Sequence, residues 1–265
     1  METALLAAAA GIAIGLVLGT LGGGGAILAI PFLVYVFDQP PQSAMAGALI
    51  IVTLSSITAV LTHSVAGRVL WRQGVAFGLL GVVGAWAGSQ VSVLVDGDLL
   101  LFWFGVLLLV VAGLMIRRTL ASGQPQSPTT PGPQDRVGVG HIHPARLIAT
   151  ATGVGLLTGF FGVGGGFAVV PALVLALETP MTLAVGTSLV VIVLNSLTAL
   201  TTRLTGGITV DWTIIAPFAV AASLAGVAGA RVAHRLPAHV LTRSFAGLLI
   251  AAGVWTGAQG LAAYL

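Results

Sequence analysis

Residues 15–34 read GLVLGTLGGGGAILAIPFLV, and residues 155–174 read GLLTGFFGVGGGFAVVPALV. The two stretches align when the sequence is shifted by 140 positions, and the register continues without a gap as far as Gly67 and Gly207. Identical residues occupy 18 of these 53 positions. Such self-similarity indicates an internal repeat, and the shared glycines and proline predict the same irregular backbone in both copies.

The composition places both copies in a membrane. Hydrophobic residues make up 57% of the 265-residue chain, charged residues only 6%, and the mean hydropathy is +1.09. A soluble domain carries about 25% charged residues, so we predict an all-α integral membrane protein. The ten basic residues, all arginine, are spread along the chain and form no patch for nucleic acid. The absence of cysteine excludes disulfides and thiolate metal sites.

Each repeat is predicted to hold about five hydrophobic segments. Six segments have full spanning length: 43–66, 73–95, 99–116, 180–204, 212–230 and 239–263. Two pairs are shorter and broken by glycine: 3–21 with 26–37, and 146–161 with 167–177. The chain therefore has eight to ten membrane segments, depending on whether each pair dips in and returns or crosses twice. The predicted domains are a transmembrane repeat at 1–116, a disordered Pro- and Gly-rich linker at 117–146 and a second transmembrane repeat at 147–265.

An odd number of segments would place two consecutive copies in opposite orientations, which is the inverted repeat of many secondary transporters. The loops on one predicted side hold nine arginines: Arg68, Arg72, Arg117, Arg118, Arg136, Arg146, Arg231, Arg235 and Arg243. The other side holds only Arg203. Because positive residues collect on the cytoplasmic side, we predict a cytoplasmic linker and two external termini.

The glycine-rich breaks predict a binding centre for a small anion. Irregular backbone at membrane depth must line a cavity or be packed in protein, and N–H groups at a helix start attract anions. The glycines expected to supply them are Gly22, Gly23, Gly24, Gly25, Gly162, Gly164, Gly165 and Gly166, with Pro31 and Pro171 holding the kinks. The alternative is that these glycines only let helices pack closely.

Polar residues on the following long segments are candidates to complete that site. Ser55 and Thr58 share one helix face, and in the second repeat Asn195 and Thr198 do the same, joined by Ser188. Alternatively, such side chains bond back to their own helix or bridge to a neighbouring one.

His63 and Arg203 occupy equivalent positions in the two repeats. Ionisable groups near a membrane are candidates for proton coupling or anion contact. For Arg203 the alternative is a side chain that reaches the membrane interface from a helix end. No cofactor or metal site is expected, and no hydrolase elbow, Walker loop or paired carboxylate within a span points to an enzyme.

The repeated GxxxGxxGxGG…P…L pattern at 15–33 and 155–173, together with AVGTS at 184–188, resembles the TauE/SafE sulfite exporter family. The resemblance covers essentially the whole chain. It implies a multi-pass protein of the prokaryotic cytoplasmic membrane, with about eight helices, that moves sulfite, sulfonates such as sulfoacetate, or related small anions by alternating access. Its partners would be the anion and the lipid bilayer, and a homo-oligomer is left open. The alternatives are an anion channel, or an accessory membrane protein without transport activity. The first repeat reads AMAGA where the second reads AVGTS, so the second should carry more of the substrate contacts.

Overall fold

A computed structural model describes residues 2–92, 97–121, 144–161, 166–204 and 210–264 of the chain. Within these ranges the regular structure is entirely helical, which confirms the all-α prediction. The first half contains α1 (Glu2–Leu21), α2 (Gly24–Pro31), α3 (Pro41–Val65), α4 (Trp71–Ser92) and α5 (Gly97–Ala121). The second contains α6 (Pro144–Phe161), α7 (Gly166–Pro171), α8 (Met181–Leu204), α9 (Trp212–Ala233) and α10 (Ala238–Tyr264). Short π-helices, Phe32–Val36 and Ala172–Ala176, follow α2 and α7.

Six of the described helices are long and apolar enough to cross a membrane: α1, α3, α6, α8, α9 and α10. Helices α1 and α6, which the sequence suggested were the first members of short glycine-broken pairs, are among them. The bundle also exposes large apolar side chains, such as Trp86, Leu224 and Val65, which water would not solvate well. Length, composition and exposed surface together indicate a multi-pass membrane protein.

The predicted linker lies largely outside the described residues. Helix α5 extends to Ala121 and α6 begins at Pro144, so both helices reach into the range 117–146. Between these helices, residues 122–143 are outside the described ranges.

The two halves share local geometry at equivalent positions. Both prolines end a short α-helix and are followed by five π-helical residues; proline removes a helical N–H and its ring clashes with the preceding turn, which favours such local widening. After the π-helices, Asp38 and Glu178 both have a φ of 55°. The next N–H groups, of Gln39 and Thr179, donate to Leu33 and Leu173 at 3.1 and 2.9 Å.

The halves also exchange packing partners. Helix α1 packs along α9, and its equivalent α6 packs along α4, while α3 and α8 lie against each other and α5 lies against α10. These crossings need small residues: a Cβ added at Gly15 would meet the carbonyl oxygen of Ala222, and one at Gly155 would meet that of Gly81. The halves therefore interlock. Their opposite orientation in the membrane remains a prediction from the arginine distribution.

Candidate functional site

The glycine breaks of the two halves meet at one point, which we call the glycine crossing (Gly22, Gly23, Gly166 and Ser188). A Cβ added at Gly23 would meet the carbonyl oxygen of Gly166. A Cβ added at Gly22 would lie 2.6 Å from the Ser188 hydroxyl oxygen. Gly22 has a φ of +73°, a conformation that glycine adopts without steric cost, and its N–H donates to the Leu18 carbonyl at 2.8 Å. Gly22 therefore closes α1 where the two halves touch.

The remaining predicted glycines differ in their surroundings. Gly24 is the first residue of α2. Gly25 packs against α1, because an added Cβ there would lie 2.5 Å from the Cβ of Leu18. Gly162, Gly164 and Gly165 lie outside the described residues. Because Gly22 already has a carbonyl acceptor, backbone donors for a ligand on this side would come from the start of α2.

All four predicted hydroxyls, those of Ser55, Thr58, Ser188 and Thr198, bond to carbonyls of their own helices. The Ser188 hydroxyl, fully buried at the crossing, donates to Val185 at 2.8 Å. The Ser55 hydroxyl donates to Ile51 at 2.6 Å. The hydroxyl of Thr198, which is exposed, donates to the Leu194 carbonyl at 2.9 Å. This bond is not the only interaction of Thr198.

Thr58 bridges two helices. Its hydroxyl lies 2.9 Å from the carbonyl oxygen of Ser55 on α3 and 3.1 Å from that of Ser223 on α9. Ser55 therefore bonds back to its own helix and Thr58 also bridges to a neighbouring helix, as the alternative to a substrate-binding role predicts. Their role in substrate binding stays a prediction.

Buried polar atoms without partners mark positions where a ligand or water is needed. Asn195 is one: its Oδ1 has no partner among the described residues, and its Nδ2 would lie 3.9 Å from a Cβ added at Gly81. The hydroxyls of Ser56 and Ser196, 0% and 1% exposed, are also unpartnered within the described ranges. Neither serine is among the site residues predicted from the sequence. Their identity at equivalent repeat positions was the signal that could have found them.

Helix geometry brings Ser56 and Ser196 to similar depths. The end of α3 lies against the start of α8, where a Cβ added at Gly186 would be 3.2 Å from the Cβ of His63. Because the two helices pack along their lengths, they run antiparallel. Ser56 precedes His63 by seven residues and Ser196 follows Gly186 by ten, so the two serines differ in depth by about one helical turn.

His63 lies beside the first glycine break. It is 1% exposed, and its Nε2 is 3.0 Å from the Gly19 carbonyl oxygen, so this nitrogen carries the hydrogen and donates it. Its ring centroid is 5.1 Å from that of His234, at the end of α9. The side chain of Arg203, the equivalent of His63, lies outside the described structure.

Arg68, which the sequence analysis did not select, joins this region to α9. Its Nη1 and Nη2 donate to the carbonyls of Ala233 and His234 at 3.4 and 3.2 Å, where the positive charge also opposes the negative end of the helix. Burial lowers the pKa of Arg68. Burial and the Arg68 charge lower the pKa of His234 below its ordinary value. No metal-binding cluster of three His, Cys, Asp or Glu side chains occurs among the residues the structure describes.

Comparison with known proteins supplies the wider context. A family model described as "Sulfite exporter TauE/SafE" matches residues 7–256. A "Probable membrane transporter protein" of Xylella fastidiosa (strain Temecula1) is 34% identical over 263 residues, covering 96% of this chain and 95% of the relative. The "Probable membrane transporter protein YunE" of Bacillus subtilis is 27% identical, covering 91% of this chain and 94% of the relative. No solved structure matches the chain. With its family match over nearly the whole length and its membrane-spanning helices, the chain belongs to the TauE/SafE family of membrane transporters.

Proposed function

We propose that the protein moves small oxyanions or sulfonates, of the size of sulfite or sulfoacetate, across the prokaryotic cytoplasmic membrane through a site at the glycine crossing. The close approach of Gly22 and Gly23 to Gly166 and Ser188 carries the proposal, because it joins the irregular segments of both halves. Alternating access would then follow from rocking one half against the other about this contact. The family description, which names sulfite, supports the substrate class.

The chemistry of the surroundings suits an anion. The start of α2 offers backbone N–H groups and the partial positive charge of a helix N-terminus. The hydroxyls of Ser56 and Ser196 are buried donors that lack bonded partners within the described ranges. Asn195 would add the N–H groups of its Nδ2, because its unpartnered Oδ1 can only accept. An anion accepts hydrogen bonds from such donors without needing a compensating protein charge at each contact.

Thermal stabilisation of the detergent-purified protein tests whether an anion binds. The panel would be sulfite, sulfate, thiosulfate, sulfoacetate, taurine, acetate and chloride. A ligand present at one hundred times its Kd stabilises the folded state by about 2.7 kcal/mol. Stabilisation by a sulfur oxyanion or sulfonate, with none by chloride, is the expected result.

Flux into liposomes separates the transporter from its alternatives. We expect flux of the stabilising anion to saturate with concentration. Flux that does not saturate would indicate a channel, and no flux together with no stabilisation would indicate an accessory protein.

Replacing Ser56 or Ser196 by alanine distinguishes a binding role from a structural one. Each hydroxyl is buried without a described partner, so its removal should leave the free energy of unfolding unchanged or higher. Anion affinity should fall about tenfold, the cost of losing one hydrogen bond to a charged group. Thr256→Ala is the matched control, since that hydroxyl donates to Ala252 of its own helix at 2.9 Å in α10. Unchanged affinity in both serine variants would remove them from the site, and the same test applied to Asn195→Ala decides the role of that amide.

A further inference from the structure

Three side chains form a compact group where α3 and α9 end; we call it the histidine–arginine cluster (His63, Arg68 and His234). The two rings lie edge to face, with centroids 5.1 Å apart and planes at 73°. The Nη2 of Arg68 donates to the His234 carbonyl at 3.2 Å. Two distant parts of the chain, the end of α3 with the residues just after it and the end of α9, are thereby held together.

Each member of the cluster keeps one buried nitrogen without a partner among the described residues. These atoms are Nδ1 of His63, Nε of Arg68 and Nε2 of His234. His63 is almost completely buried, so water reaches its ring poorly. A buried polar nitrogen costs free energy unless something bonds to it. Three such atoms in one cluster indicate that a ligand completes the site.

The charge of the cluster defines that ligand. The titratable groups that face His63 are His234 and Arg68, and Arg68 also acts on His234. The other packed elements contact this region through uncharged groups of the described residues. Helix α1 offers the Gly19 carbonyl, and α8 offers Gly186 and the Thr187 hydroxyl, which accepts from the Leu70 N–H at 3.1 Å. Within the described residues the ion pair joins Arg146 to Glu178 and includes no member of the cluster. The Arg68 charge therefore has no described carboxylate opposite it.

We propose that His63, Arg68 and His234 form a second anion-binding site, next to the glycine crossing, which takes up a small oxyanion together with a proton. The Arg68 guanidinium supplies the permanent charge and its unpartnered Nε–H. The Nε2–H of His63 is already engaged by Gly19, so its Nδ1 can donate to an anion only after protonation. When a histidine ring of the cluster takes up a proton, both of its nitrogens become hydrogen-bond donors. The cluster then offers donors to the anion where it offered an acceptor before.

Linkage gives the sign of the pH dependence. In the empty site, burial and Arg68 keep the pKa of His234 below its ordinary value, so this ring is neutral near pH 7. A bound anion opposes both effects and favours the protonated ring. Anion affinity must then rise as the pH falls, by up to about tenfold per pH unit for each proton taken up.

The inference rests on the proposed function in one respect: the anion that the cluster binds is taken to be the anion that is transported. The side chain of His63 touches the carbonyl of Gly19, three residues before Gly22. A proton bound with the anion in this position would couple anion movement to proton movement.

Calorimetric titration of the full-length, detergent-purified protein with sodium sulfate tests the site. Sulfate keeps its charge between about pH 6 and about pH 8, so a pH effect reports on the protein. We expect binding tighter at the lower pH, and proton uptake detected from the difference between two buffers. His234→Gln and Arg68→Lys should each lower sulfate affinity about tenfold, and His234→Gln should also weaken the pH dependence. Because His63 is buried and its replacement risks unfolding, these two half-buried positions carry the test.

His239→Gln and Arg72→Lys are matched controls at exposed positions nearby in sequence, and both should bind sulfate as the wild type does. Equal affinity at both pH values, or an unchanged pH dependence in His234→Gln, would overturn the inference. A short-chain phosphatidylglycerol added in place of sulfate distinguishes a lipid phosphate from a free oxyanion. Binding of the lipid without binding of sulfate would also overturn the inference.

The two proposals fail in different ways. If liposomes carry a saturable anion flux while the cluster variants bind and titrate like the wild type, the inference fails and the proposed function stands. If sulfate binding depends on His234, Arg68 and pH but liposomes show no flux, the cluster site stands and the proposed function fails.

Discussion

At the residue scale, the glycines of this chain serve different purposes that only their surroundings reveal. Gly22 needs its positive φ, whereas Gly23 has an ordinary φ of −58° and is required by contact with Gly166. Gly113, in α5, meets nothing within 4 Å of an added Cβ. Glycine is therefore required at Gly22 by the backbone conformation and at Gly23 by the close approach of another backbone, whereas Gly113 is under neither constraint.

Gly23→Ala tests the glycine crossing directly. The backbone at this position accepts alanine, so any effect comes from the clash with the Gly166 carbonyl. We expect the free energy of unfolding to fall by about 1 to 3 kcal/mol, the usual cost of overpacking, and anion stabilisation to weaken.

Gly113→Ala is the control, and it should be neutral or gain up to about 1 kcal/mol from helix propensity. Thermal unfolding of both variants, with and without the anion, measures the difference. A Gly23→Ala protein as stable and as responsive as wild type would show that the halves do not need this contact.

At the element scale, pairs of helices from different halves are held by small residues at equivalent positions. Gly15 on α1 faces Ala222 on α9, and Gly155 on α6 faces Gly81 on α4. Without a hydrophobic effect between helices in lipid, such close packing is a main source of association. The order of helices repeats along the chain, but each helix finds its partner in the other half.

Two alanine substitutions on α6 separate packing from helix propensity. At Gly155 an added Cβ would meet the Gly81 carbonyl oxygen. At Gly153, two residues earlier, nothing lies within 4 Å of an added Cβ. Gly155→Ala should therefore lower the unfolding free energy by about 1 to 3 kcal/mol, while Gly153→Ala should not lower it. Gly15→Ala on α1 should behave like Gly155→Ala. Equal stability of the 153 and 155 variants would contradict the close crossing.

At the scale of the whole molecule, two side-chain contacts join loops that the arginine distribution predicts to lie on the same side of the membrane. The ion pair between Arg146 and Glu178, 2.9 Å long, joins two loops predicted to be cytoplasmic. The bond from Arg68 to His234 joins two more. Exposed ion pairs contribute little stability, so we expect the arginines to act mainly on the orientation of the chain in the membrane.

Single cysteines can test that orientation, because the chain has none of its own. Glu2 and His239 are both exposed and lie on opposite predicted sides. In intact cells a membrane-impermeant maleimide should label Glu2→Cys and leave His239→Cys unlabelled; after lysis it should label both. The reverse pattern would place the linker outside, and labelling of both in intact cells would contradict the assignment of His239 to the cytoplasmic side.

The sequence by itself determined the membrane class, the helical fold, the family and the position of the irregular backbone. Each of these follows from local or compositional properties: apolar runs of spanning length, few charges, and glycine and proline at repeated positions. It also identified Ser188 and His63 as candidates, because polar groups stand out against an apolar background.

Only the tertiary structure decided which of these features meet. Gly23 and Gly166 touch although 143 residues separate them, and Arg68 reaches His234 across 166. That Ser56 and Ser196 have no partner among the described residues is likewise visible only once the neighbouring donors and acceptors have been placed. The physical reason is that close approach and hydrogen-bond satisfaction depend on atoms from distant helices, whereas spanning length and helix formation depend on atoms near in sequence.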